Sequence, residues 1–173
     1  AQAEHLQRVL PEFSIRTGRR ADERPSAVKW RWLVENDRIT ETPVRWFAIA
    51  EWIVHCLGGT PHSEASLMSR TGGLDVVQGN EYRDVFAWAG VPDLRFGQIV
   101  GAGEPAATAV NGPAALRGAT LTVAGLDCYT SAHVIGIDSS HTALLSCGTS
   151  GAAIRVLDEW LTPPEIRRAV ALD

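Results

Sequence analysis

Two short stretches carry residue types able to do chemistry. The first is Asp127, which closes the apolar run "ATLTVAG" (residues 119–125) and stands at the head of a helix-like segment. In open α/β sheets the crevice beyond the carboxyl ends of the strands is where ligands bind. A carboxylate there, at a helix start, is kept ionised by the helix dipole and can accept a proton from a bound hydroxyl. Simple capping of the helix is the competing reading of the same residue. The second stretch is Gly148-Thr149-Ser150-Gly151, between two further apolar runs. Two glycines let backbone N–H groups approach an anion and two hydroxyls add donors, so such a turn can cradle phosphate. An ordinary hairpin turn has the same composition.

Neither stretch matches a more specific catalytic pattern. The turn is not a P-loop, since no Lys follows it. It is not a nucleophile elbow either, because Ala152 stands where the last glycine belongs. His5, His55, His62, His133 and His141 show no metal-ligand spacing and are expected on the surface or satisfied in the core. Cys56, Cys128 and Cys147 form no C-x-x-C pair, which argues against a disulfide framework or structural zinc. They read as buried small hydrophobes in a reducing cytoplasm.

The elements that must position these residues can be read from periodicity. "PSAVKWRWLVEN" predicts a short helix, with Ser26 as cap and Trp30, Leu33 and Val34 on one face. "ETPVRWFAIAEWIVHCLGG" predicts the longest helix, capped by Thr42, with Pro43 in its first turn and Gly58 at its end. "SEASLMSRTGGLDV" loses the helical period and predicts short extended pieces around Gly72-Gly73. A helix capped by Asn80 should run through Val85 and Trp88 to Gly90. "FGQIVGAGEPAATAV" reads as extended pieces with glycine turns, and "ATLTVAG" as a buried strand whose following helix Asp127 caps. "TALLSC" and "AAIRVL" predict a hairpin around the Gly148–Gly151 turn. In "TPPEIRRAV", Thr162 and Glu165 stand at capping-box spacing. Helices followed by interleaved strands and helices give an α/β fold class.

Composition sets the outer bounds. The 173 residues, 45% apolar and 21% charged, suffice for one folded domain or parts of two. The net charge is −4 and the arginines are scattered, which argues against a nucleic-acid or anionic-membrane partner. No apolar run approaches the roughly 18 residues of a membrane span. The chain opens on Ala1 without Met, and "AQAEHLQRVLPEF" reads as the continuation of a longer protein.

Taken in order, four stretches resemble the FGGY family of carbohydrate kinases. "IRTGRRADERPSAVKWRWLVEN" resembles the family's R-T-G segment and K-x-x-W-L-x-x-N helix. "RWFAIAEWIVHCLGGTPHSEASLMSRTGGLDV" resembles its helix, L-T-G turn and T-D-x-S-x-A-S-x-T-G-x-x-D block, with Glu64, Ser66, Ser69, Thr71 and Asp75 matching or nearly matching. "VAGLDCYTSAHVIG" resembles the strand–Gly-x-Asp–helix that carries the catalytic base. "LLSCGTSGAAIRV" resembles the L-S-x-G-T-S hairpin that opens the second domain.

The resemblance implies an incomplete copy of the actin-like (ribonuclease H-like) ATPase fold. Residues 1–137 would form the later half of the sugar-binding domain, and 138–173 the start of the nucleotide-binding domain. It implies ATP and Mg2+ as cofactors, a small carbohydrate or polyol as substrate, and a cytoplasmic enzyme that could be a homo-oligomer. Asp127 would be the base, and Gly148, Thr149, Ser150 and Gly151 would approach the ATP phosphates. Three features depart from the pattern. Leu126 stands where many relatives have His, Glu64 where they have Asp, and the helix after Asp127 is longer. The family's D-x-G-T/S hairpin and adenine site have no counterpart in these residues, so the chain alone is expected to be inactive. A non-catalytic module of the same fold, binding a sugar or a protein, is the alternative.

Overall fold

The computed structural model describes residues 2–41, 43–148 and 151–171, with residues 170 and 171 described by their backbone alone. Three helices open the chain: α1 (Gln2–Val9), α2 (Phe13–Thr17) and α3 (Ser26–Glu35). Pro25 holds the cap position of α3, so Ser26 is its first helical residue instead of its cap. Proline suits that end because its missing N–H has no helical partner to lose. Ala27, Val28 and Trp30 of α3 are buried.

The next helix is shorter than its apolar spacing predicts. It begins at Ile49 (α4, Ile49–Gly58), six residues after Pro43. Residues 44–46 run extended instead. Arg45 bridges Arg95 in parallel, and Trp46 N donates to Arg95 O at 3.0 Å. The start is fixed by Glu51, whose carboxylate accepts from Ala48 N at 2.7 Å and so takes up a donor at the helix entrance. Thr42, expected as the cap, lies outside the described residues. Trp46 packs on the core from the extended segment, whereas Ile49 and Ile53 are exposed.

Short strands and helices then alternate. β1 (His62–Glu64) leads directly into α5 (Ala65–Ser69), a helix where extended pieces were predicted. β2 (Leu74–Asp75) pairs antiparallel with β3 (Asn80–Glu81), and α6 (Arg83–Ala89) follows with Tyr82, not Asn80, in the cap position. β4 (Gln98–Val100) pairs in parallel with β1, Ser63 opposite Ile99. The chains come so close there that a Cβ on Gly97 would lie 2.4 Å from His62 N. β5 (Pro105–Thr108) pairs antiparallel with β6 (Thr120–Thr122). The expected buried strand is therefore the exposed-edged partner of a ribbon: Thr120 and Thr122 face solvent, and burial resumes at Val123.

α7 (Asp127–Val134) is followed by the predicted hairpin of β7 (Ala143–Cys147) and β8 (Gly151–Arg155), paired from Ala143–Arg155 to Cys147–Gly151. α8 (Pro163–Ala171) closes the chain, and its entrance shows half of the expected capping box. Thr162 N donates to Glu165 Oε2 at 2.8 Å.

Two apolar clusters hold these elements. The larger centres on Trp30, fully buried, with Trp46, Phe86 and Phe96 edge-on to it at 5.3 to 6.1 Å. Leu6, Phe13, Met68 and Leu94 are among its other buried members. The smaller joins Val54 of α4, Ala106 of β5 and Val123, with Leu67 of α5 against them. Val123 brings into it the segment that leads to Asp127. An ion pair ties α2 to the β2–β3 turn: Arg16 Nε donates to the buried Asp75 at 2.7 Å, and Asp75 Oδ1 accepts from Val77 N and Gln78 N.

Candidate active site

Asp127, expected to cap this helix, is instead the first residue of α7, and Leu126 holds the cap position. It is exposed, and its Oδ1 accepts from Cys128 N at 2.7 Å. The first turn of a helix favours a negative charge, because its N–H groups point outward and the peptide dipoles align. The side chain faces solvent, where a bound hydroxyl can reach it.

What fixes Asp127 is the turn before it. Gly125 adopts φ 94°, a conformation side chains resist, and a Cβ there would lie 2.8 Å from Ser66 Oγ and 3.1 Å from Glu64 Oε2. Glycine at this position therefore meets both a torsional and a steric demand. Leu126 N donates to Ser66 Oγ at 2.9 Å. From the other side, Thr130 Oγ1 lies 3.1 Å from Ala124 O and 3.2 Å from Leu126 O, and its hydroxyl can donate to either. The strand–glycine–Asp–helix passage is thus held at both ends.

Ser66 is itself held by a buried acid. Glu64, 2% exposed, caps α5 by accepting from Ser66 N and Leu67 N, each at 3.0 Å, and from Ser66 Oγ at 2.5 Å. Glu64 N donates in turn to Glu51 Oε1 at 2.8 Å, while Glu51 Oε2 takes Ala48 N. Burial pushes the Glu51 carboxyl above its ordinary range. The two backbone N–H bonds oppose this, and the Glu64 carboxylate adds to it. The resemblance marked Glu64 and Ser66 but assigned them no role, and Glu51 was missed. Its signal was a carboxylate three residues past a helix entrance, obscured because Ala48 lacks the hydroxyl of a capping box.

The second candidate stretch lies at the end of the hairpin. Gly148 and Gly151 are exposed, and among the described residues nothing lies within 4 Å of a Cβ built on Gly151, so the backbone there is open to them. Thr149 and Ser150 lie outside the described residues. α7 packs against β8, the strand that Gly151 opens.

The cysteines are free, as expected, but not buried: Cys56 and Cys147 are exposed and Cys128 is intermediate. They sit on α4, on α7 and on the hairpin. His62 is buried beside Thr60 O at 3.0 Å, His5 Nδ1 accepts from Trp88 Nε1 at 3.0 Å, and His133 and His141 are exposed. His55 is half-buried and stacks on Phe47. No group of three or more His, Cys, Asp or Glu able to hold a metal occurs among the described residues. Nor is any helix among them long and apolar enough to cross a membrane.

The fold and site define an α/β chain of the actin-like ATPase class, part of that fold instead of the whole. Its architecture is similar to a xylulose kinase from Rhodospirillum rubrum, with a TM-score of 0.76 and 22% identity over 89% of this chain and 33% of that one. A kinase from Brucella ovis, described as a xyloylose kinase, matches with a TM-score of 0.70 and 25% identity over 88% of this chain and 31% of that one. A gluconate kinase from Lactobacillus acidophilus gives 0.73 and 18% over 91% and 33%. The chain therefore spans about a third of the length of the solved structures it matches. A search of the curated proteins found no match. The model of the N-terminal domain of the FGGY family of carbohydrate kinases matches residues 2–136, and the chain belongs to that family.

Proposed function

We propose that these residues form the base-bearing wall of the cleft in an ATP-dependent kinase that phosphorylates a hydroxyl of a small sugar or polyol. In this reading residues 1–137 are the later half of the sugar-binding domain, and 138–173 begin the nucleotide-binding domain. The observation that carries it is Asp127, exposed at the start of α7 with the turn before it fixed from α5.

Asp127 accepts the proton as the sugar hydroxyl oxygen attacks phosphorus. A new O–P bond forms, and the bond to the departing diphosphate oxygen breaks. ATP, when bound, supplies the phosphoryl group. Phosphoryl transfer depends mainly on positioning and charge stabilisation, so a well-held base contributes through geometry. Gly148, Thr149, Ser150 and Gly151 would hold the phosphates by backbone N–H groups and hydroxyls, and the open backbone at Gly151 fits that role. Mg2+, when bound with ATP, would be carried mainly by the phosphates and water.

The test is to express the full kinase that contains these residues and measure ADP release with a panel of sugars, sugar acids and polyols. Sugar-stimulated ADP release is expected, and the 173-residue chain alone should give none. Sugar binding without ADP release would favour a non-catalytic module instead.

A further inference from the structure

We infer that Ser66, oriented by Glu64, is a positioning residue for Asp127, acting through the Leu126 amide. The inference rests on Asp127 being the base. Its ground is the direction of the hydrogen bonds. Glu64 is buried, and its carboxylate accepts three donors, one of them the Ser66 hydroxyl. The Leu126 backbone N–H, 2.9 Å away, can only donate, so Ser66 Oγ accepts there and its own proton is left for Glu64 Oε2. The residue that receives this bond directly precedes Asp127, and its N–H is one of those a helix entrance leaves without an internal partner.

The chain of contacts is continuous from the start of α4 to the start of α7. Glu51 accepts from Glu64 N, Glu64 from Ser66, and Ser66 from Leu126 N. Between Gly125 and the Glu64–Ser66 pair there is no room for a Cβ, so a side chain at this turn would collide with α5. The elements so linked are 60 residues apart in sequence at the Ser66–Leu126 bond. Capping of α5 alone needs the Glu64 carboxylate and two backbone N–H groups. The Ser66 hydroxyl is not required for that, which leaves its bond to Leu126 as its distinct contribution.

The experiment is a double-mutant cycle in the full kinase, with Ser66→Ala, Asp127→Asn and the pair. Displacing a catalytic group by a fraction of an ångström to 1 Å costs roughly tenfold to a hundredfold in rate. Ser66→Ala is expected to lower kcat by that factor, with KM for ATP within about twofold, and to add nothing in the Asp127→Asn background. An equal loss in both backgrounds overturns the inference, as does a kcat within about twofold of the parent accompanied by a lower Tm. Should Ser66→Ala not fold, Ser66→Thr decides. It keeps the hydroxyl and is expected within about threefold of the parent kcat, and a folded Ser66→Thr that loses tenfold or more overturns the inference. Full turnover by Asp127→Asn alone would instead remove the base assignment, a result distinct from any of these.

Discussion

Ser66 Oγ accepts the N–H of Leu126 at 2.9 Å while donating to Glu64 at 2.5 Å, so one hydroxyl joins a buried acid to the turn that presents Asp127. The partners come from α5 and from the entrance of α7, and α5 also places Leu67 against the smaller apolar cluster, which holds Val123.

Gly125 is the first place to test this construction. Replacement by Ala imposes a side chain on φ 94° and drives its Cβ to 2.8 Å from Ser66 Oγ. Strain of this kind costs about 2 kcal/mol. For a chain of this size that lowers Tm by roughly 4–8 °C in a thermal melt. An unchanged Tm would mean the turn is not held against α5.

Much of this arrangement was legible in the sequence. The Gly-x-Asp passage, the β7–β8 hairpin, the core role of Trp30 and the Thr162–Glu165 cap follow from local pattern, because each depends on neighbours a few residues away. The Ser66–Leu126 bond was not legible, since no local rule pairs residues 60 apart. The helix expected from Pro43 failed for a related reason. Trp46 fits the α4 periodicity, but it reaches the core from an extended segment paired with Arg95. Tertiary pairing overrode the period there, and a hydrogen bond from Ala48 to Glu51 fixed the true start.

Glu51 supplies a prediction with a sign in pH. Both its oxygens accept backbone N–H groups, so Glu51→Gln turns an amide N–H2 toward one of those donors. One buried donor left unpaired costs about 1–3 kcal/mol. Burial raises the folded-state pKa of Glu51 above the ordinary 4.5. A raised carboxyl binds its proton more tightly when folded, so its contribution is fully present below about pH 4.5 and declines as pH rises through the folded value. The Tm advantage of the parent over Glu51→Gln should therefore be largest near pH 4.5 and narrow toward neutrality. An advantage that widens with pH would contradict the raised value.

The Arg16–Asp75 pair tests the packing of α2. Asp75 is fully buried, and its side chain serves Arg16 and two backbone N–H groups. Breaking a buried pair costs about 3–5 kcal/mol, but the Arg16 side chain is 27% exposed, so Asp75→Asn should cost nearer about 2–3 kcal/mol in chemical denaturation. A loss below about 1 kcal/mol would show that the pair behaves as a surface contact.

The central claim is that Asp127 takes the proton of the attacking hydroxyl. Its most direct test is kcat of Asp127→Asn in the full kinase, with a matched melt to show that the variant folds. A general base contributes typically 10²–10⁴-fold, so turnover should fall by about that factor with Tm nearly unchanged. Turnover within about threefold of the parent would contradict the account and return Asp127 to a charge at a helix entrance.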